Sequence, residues 1–201
     1  MCRLIIHAAA QYRSHRQGVV TDDDHQVRAM AIGLKTLGRQ AAADRVLLQQ
    51  VVSRLLPVVS QLPRPSVLVP IPSATDGTPL QNYILASALW AWCDDVTIAT
   101  PLTRGRGEPS QCVRHRQGLP PRPWQDHAVV CATNPLHDGL TLILIDNVIT
   151  SGHTAMAAAQ ALGASVAHVL VWADARDTIS AGHVPGMVTG HCPSWSCAAP
   201  H

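Results

Sequence analysis

The sequence predicts an α/β fold in which a parallel sheet is flanked by helices, with a small helical part at the N-terminus. Three observations carry that expectation. Short, mostly apolar runs recur at residues 67–72 (VLVPIP), 140–145 (LTLILI) and 166–173 (VAHVLVWA), and runs of that length and character are strands buried on both faces. Stretches with apolar residues at helical spacing separate them. Strand and helix alternate, the pattern of crossover units and not of hairpins.

In chain order, residues 1–10 (MCRLIIHAAA) hold an apolar patch that His7, Gln11, Arg13 and His15 interrupt early. It lacks the long hydrophobic stretch and cleavage site of a secretory signal, so a cytoplasmic location is expected. Asp22, Asp23 and Asp24 precede a helical pattern, as acidic residues do at helix starts. A second helical pattern, AAADRVLLQQVVSRLL, runs from residue 41 until Pro57. These make residues 1–60 an N-terminal helical segment. The strand VLVPIP opens the main domain, residues 61–180, and NYILASALWAWC follows as a helix with Trp90 and Trp92 in the core. VTIAT and HAVVCA are further strands, separated by a Pro/Arg/Gly-rich loop over residues 101–123. LTLILI, an Ala-rich helix over residues 153–162 and VAHVLVWA complete the domain. Residues 181–201 read as an irregular tail.

A chain of 201 residues with 47% hydrophobic and only 14% charged residues can bury a core and is not disordered. No apolar stretch approaches the ~18 residues of a membrane span, so no membrane partner is expected. Fifteen Lys and Arg against thirteen Asp and Glu leave +2, too little for a protein whose main task is neutralising nucleic-acid phosphates. Any basic site is local. The six cysteines lack CxxC spacing, and most read as reduced thiols. In the tail, His191, Cys192, Cys197 and His201 offer four candidate zinc ligands, but C-x4-C is a weak signal and an unconstrained terminus reads the same way. Both readings stay open.

The chemistry concentrates in LILIDNVITSGHT, residues 142–154. Ligands of parallel sheets collect beyond the carboxyl ends of the strands, where Asp146 and Asn147 would emerge. Their oxygens can accept hydrogen bonds from vicinal hydroxyls. Thr150, Ser151, Gly152, His153 and Thr154 then place backbone N–H groups and hydroxyls at a helix N-terminus, an anion site, with Gly152 allowing close approach. His153 would act through its backbone amide. A hydroxyl binder one turn ahead of a phosphate cradle describes a ribose 5-phosphate. An ordinary strand, turn and capped helix, with Thr150 or Ser151 as N-cap, fits the same residues.

LILIDNVITSGHT resembles the thirteen-residue signature of type I phosphoribosyltransferases, in which four apolar residues, two usually acidic residues and a T-[TS]-G-x-T loop bind phosphoribosyl pyrophosphate (PRPP). Asn147 stands at the second acidic position and brings no charge. Four further segments are similar in order and spacing to the ComF family of amidophosphoribosyltransferase-like proteins: residues 32–57 with Lys35 and a Gly-Arg pair, VLVPIPSATDG (67–77), LQNYILASALW (80–90) and RGRGEPSQCVRHR (104–116). Together they cover roughly residues 30–175. The third lacks the family's Arg-Gly and reverses its Asn-Gln order as Gln81, Asn82. The N-terminal zinc-binding cysteines of many such proteins are missing. Cys2 is similar to the N-terminal nucleophile of glutamine amidotransferases only in position, since the large β-rich domain that carries that chemistry has no counterpart here.

The resemblance implies a Rossmann-like fold and transfer of phosphoribosyl from PRPP to a nitrogen nucleophile with release of pyrophosphate. Asp146 would anchor the ribose hydroxyls and stabilise positive charge at the anomeric carbon, with Asn147 beside it. Mg2+, held largely by substrate oxygens and indirectly by Asp146, would polarise the pyrophosphate. Thr150, Ser151, Gly152, His153 and Thr154 would hold the 5-phosphate, and the loop at Pro72, Ser73 and Ala74 the pyrophosphate. Five arginines, Arg104, Arg106, Arg114, Arg116 and Arg122, lie in residues 104–122. Arg104 or Arg106 would meet the departing pyrophosphate as that loop closes. The other implied class is a non-catalytic PRPP or nucleotide-binding regulator, or a DNA-uptake (competence) accessory protein contacting single-stranded DNA through the 104–122 loop. A homodimer is expected from similar folds.

Overall fold

In chain order the elements are β1 (Arg3–Gln11), α1 (Asp22–Leu34), α2 (Ala41–Val59), β2 (Ser66–Pro70), α3 (Leu80–Trp90), β3 (Val96–Ile98), β4 (Leu102–Arg104), a 3-10 turn (Trp124–Asp126), β5 (Val129–Cys131), β6 (Thr141–Ile149), α4 (His153–Ala161), β7 (Val166–Asp174) and β8 (Met187–Thr189). They belong to a computed structural model that describes residues 2–13, 21–39, 41–73, 77–105, 114, 117–120, 123–133, 139–175 and 187–189. Six strands form one sheet in the order β3-β2-β6-β7-β1-β8, and every pairing in it is parallel. The chain is therefore an α/β protein with helices on both faces of a parallel sheet. Among the described residues no helix is long and apolar enough to cross a membrane.

Alternation along the strands divides the core in two. Ile143 and Ile145 of β6 join Leu68, Leu170 and Trp172 in a core closed by α1, α2 and α3. Leu142 and Leu144 join Leu4, Ile6, Val69 and Val171 in a second core closed by α4 and by Leu102 of β4. β4 and β5 pair antiparallel as a separate ribbon. Packed between sheet and ribbon, α4 buries Ala155, Met156, Ala157, Ala158 and Ala159, and small side chains let three layers approach closely.

Three expectations are corrected. The first 60 residues are not a helical segment: Arg3–Gln11 is a strand whose Arg3 to Ala8 pair in register with Val166 to Val171 of β7. Ala8, Ala9 and Ala10 carry helical propensity, and long-range pairing overrides it. The tail beyond residue 180 is not wholly irregular, since Met187, Val188 and Thr189 pair with Leu4, Ile5 and Ile6. Trp90 and Trp92 are not core; they are 53% and 74% exposed, because α3 turns Leu85, Ala86 and Leu89 inward instead. α2 also runs two residues past Pro57, to Val59. The zinc candidates His191, Cys192, Cys197 and His201 lie outside the described residues.

Strand order places the site. From β2 the chain crosses through α3 outward to β3, and from β6 it crosses through α4 the opposite way to β7. Neighbouring strands whose crossovers diverge leave a crevice at their carboxyl ends, where ligands bind in open α/β sheets. β2 pairs with β6 as far as Pro70 and Ile145, and Ile71 N adds one bond to the Ile145 carbonyl at 2.9 Å. β6 continues against β7 to Ile149. Asp146 is the first residue past the end of its β2 neighbour.

Candidate functional site

Adjacent residues of β6 go to different places. Asn147 shares the parity of Ile143 and Ile145 and turns toward α1, where its Nδ2 donates to the Ala31 carbonyl at 2.9 Å. Its Oδ1 is buried without a hydrogen-bond partner. The expected amide beside the ribose hydroxyls is therefore corrected: strand alternation buries Asn147 on the helical face. Asp146 stays in the crevice. Its Oδ1 accepts from Asn147 N at 2.8 Å and from Asn82 Nδ2 at 3.3 Å. Burial pushes its carboxyl above the ordinary value, opposed by those two hydrogen bonds and by the charges of Lys35 and Arg104.

Immediately after β6 the chain makes the expected turn. Gly152 is the N-cap of α4 with φ of +77°, a left-handed conformation that suits glycine. No side chain caps the helix, and its first intrahelical bond runs from Met156 N to the Gly152 carbonyl at 2.9 Å. That leaves the N–H groups of His153, Thr154 and Ala155 outside the helical ladder; the nearest acceptor to His153 N is Ser151 Oγ, at a long 3.5 Å. Asp146, Val148, Ile149, Thr150, Ser151, Gly152, His153, Thr154 and Ala155 surround a cavity of about 30 Å3. A single water-sized centre needs ~10–15 Å3, so the cavity has room for about two water-sized groups.

Arg104 is not on a swinging loop. It ends β4, is 8% exposed, and its Nη2 lies 3.3 Å from Nδ1 of the buried His127. A guanidinium only donates, so Nδ1 accepts and the His127 proton sits on Nε2. The His127 ring meets His153 edge-on at 6.4 Å between centroids. These groups form a polar layer between the ribbon and the start of α4. Arg114 is also committed, its Nε and Nη2 donating to the Pro120 carbonyl at 3.1 and 3.0 Å. Arg106, Arg116 and Arg122 lie outside the described residues.

The loop after β2 is only partly open. Pro72 is buried, and Ser73 N donates to the Thr78 carbonyl at 2.8 Å while Gly77 N donates to the Ser73 carbonyl at 3.1 Å. The Ser73 amide expected to hold pyrophosphate is spent inside its own loop. Ala74 lies outside the described residues. α3 then begins at Pro79 without a side-chain cap.

Sequence reasoning did not place Asn82 or His127 in the site. Asn82 had a signal, since it falls in the first turn of the helix that follows the switch-point strand. His127 had none. Among the described residues no three His, Cys, Asp or Glu side chains gather to hold a metal. Compared with protein-family models, with curated proteins and with solved structures, the chain matches none of them.

Proposed function

We propose that this crevice binds PRPP and that the protein transfers its phosphoribosyl group to a nitrogen nucleophile, releasing pyrophosphate. The observation that carries the reading is the juxtaposition of Asp146 with an uncapped α4 N-terminus at the sheet's switch point, a hydroxyl acceptor beside an anion cradle. Resemblance to the type I phosphoribosyltransferase signature and to ComF-family segments supports it. The 5-phosphate sits on the amides of His153, Thr154 and Ala155 and the hydroxyls of Thr150, Ser151 and Thr154. Asp146 accepts hydrogen bonds from the ribose hydroxyls and faces the anomeric carbon as its bond to pyrophosphate oxygen breaks. The new carbon–nitrogen bond forms on the opposite side, and the nucleophile gives up its proton. One carboxylate without a metal cage fits Mg2+ carried by pyrophosphate oxygens and water; when bound, the ion neutralises leaving-group charge. Lys35 and Arg104 lend positive potential around Asp146.

A second reading, a non-catalytic PRPP or nucleotide-binding regulator, is favoured by two placements. Asn147 is turned away from Asp146, and Arg104 is packed on His127, so the crevice has one acid and no free arginine among the described residues that reaches it. The competence variant, contact with single-stranded DNA through the 104–122 loop, is left to arginines other than Arg104 and Arg114. Calorimetric titration of PRPP with Mg2+, with pyrophosphate release followed against ammonia and a panel of bases, separates the readings. Weakened binding in Asp146→Ala together with release in the wild type supports the transferase. Binding without release supports the regulator, and no binding of PRPP, or of nucleotides titrated in the same way, refutes both.

A further inference from the structure

Asn82, in the first turn of α3, joins two groups that sequence keeps apart. Its Nδ2 donates to the Ile71 carbonyl at 2.8 Å and to Asp146 Oδ1 at 3.3 Å. An amide nitrogen carries two hydrogens, so both are committed, and both partners are acceptors when Asp146 is ionised. The amide is thereby held nitrogen-first, since its oxygen end would face two oxygens. Ile71 is fastened to β6 through the Ile145 carbonyl, so Asn82 ties Asp146 to a fixed point at the end of β2. Oδ1 of Asp146 then holds two donors, Asn82 and the Asn147 amide. No hydrogen bond among the described residues engages Oδ2.

We infer that Asn82 is a positioning residue for Asp146: by fixing Oδ1 against the end of β2, it presents Oδ2 to the hydroxyls of the bound ribose. The ligand in that statement rests on the PRPP reading, whereas the tie between the two side chains does not. Losing one hydrogen bond to a charged group corresponds to about tenfold in affinity. Asn82 touches no reacting atom, and its effect passes through Asp146 alone.

The test follows the Asp146 carboxyl carbon by NMR in the full-length protein, alongside calorimetry with PRPP and Mg2+. In Asn82→Ala the Asp146 signal shifts and broadens while the amide spectra of β7 and α4 persist. Affinity falls about tenfold, and the same change made in Asp146→Ala costs nothing further. An unchanged carboxyl signal overturns the proposal, as does an equal affinity loss in both backgrounds. Asn82→Leu keeps the volume and removes both donors without adding charge, so it gives the same result where the alanine variant does not fold. Independently of either, the Asn82 side-chain amide signals of the wild type move in Asp146→Ala, and their failure to move overturns the tie. If the wild type binds no PRPP, the functional reading fails and the carboxyl and amide signals still decide the role of Asn82.

Discussion

Helices α1 and α4 begin in opposite ways. At α1 the chain closes its own end: the Thr21 hydroxyl accepts from Asp24 N at 3.2 Å and Thr21 N donates to the Asp24 carboxylate at 2.9 Å. Asp22, Asp23 and Asp24 set negative charge against the helix dipole. At α4 no acid stands in the first turn, no side chain caps, and a left-handed glycine bares the amides. A helix end left open at the carboxyl edge of a parallel sheet has donors for something that arrives from outside. The same chain shows that it can write a capping box, so the open end of α4 reflects position in the fold.

Closing the open end gives the largest effect. Ser151→Asp puts a carboxylate into the α4 cradle, as α1 already has. PRPP affinity measured by calorimetry should fall about a hundredfold or more from like-charge repulsion, with thermal stability nearly unchanged. Retained affinity would show that the anion sits elsewhere.

Asp146→Asn comes next. Because burial raises its folded-state pKa, Asp146 holds a proton more readily in the folded chain than in the unfolded one. Ionised Asp146 therefore costs stability at neutral pH, a cost that disappears as pH falls through the raised value and then the ordinary one. The amide variant should lose at least about tenfold in PRPP affinity while gaining about 1 kcal/mol in denaturant unfolding at neutral pH. Wild-type binding should weaken on acidification before ordinary carboxylates titrate. A destabilised Asp146→Asn would mean that the charge is paired more strongly than its contacts indicate.

The reciprocal experiment is smaller. Thr21→Ala opens the end of α1 and should cost about 1 kcal/mol of stability, read by urea unfolding, with PRPP affinity unchanged. The capping bonds from Thr21 also hold the Asp24 carboxyl below its usual range. The backbone N–H of residue 21 has the larger share and survives the substitution; the hydroxyl's share is present at neutral pH and is lost as pH falls through that lowered value, so the variant's deficit should shrink in acid.

The smallest effect lies away from both helix ends. His7 Nε2 and His168 Nδ1 are 2.9 Å apart on β1 and β7, and burial, then His168, lowers His7 to about 4. The unfolded chain binds this proton first, so stability falls as pH drops from the ordinary value of 6.5 toward 4. At a half-buried pair that loss is about 1 kcal/mol after solvent screening. His7→Gln should flatten the unfolding profile over that window without altering the pH dependence of PRPP binding. A binding profile that flattens too would couple the pair to the crevice.

Legibility followed the range of the interactions. The turn after β6 was readable because its requirements are local: a glycine for the left-handed φ of residue 152 and small hydroxyl residues around it. Asn147 was misread because adjacency in sequence means opposite faces once the segment continues as a strand, and β6 runs on to Ile149. Arg104 looked like part of a long basic loop until its two neighbours, Leu102 and Thr103, paired with Cys131 and Val130. Trp90 at the end of α3 could not be assigned a face by spacing in a helix that is apolar on most sides, and Trp92 falls in the turn beyond that helix.

The alternation of buried strands with helices and the glycine turn at the head of α4 were legible in the residues alone. Both follow from local rules of period, burial and backbone freedom. That Arg3–Gln11 is a strand, that β2 and β6 are neighbours, and that Asn82 meets Asp146 across 64 residues emerged from the folded chain. Those outcomes depend on pairings between segments distant in the chain, whose free energy exists only once the sheet has assembled.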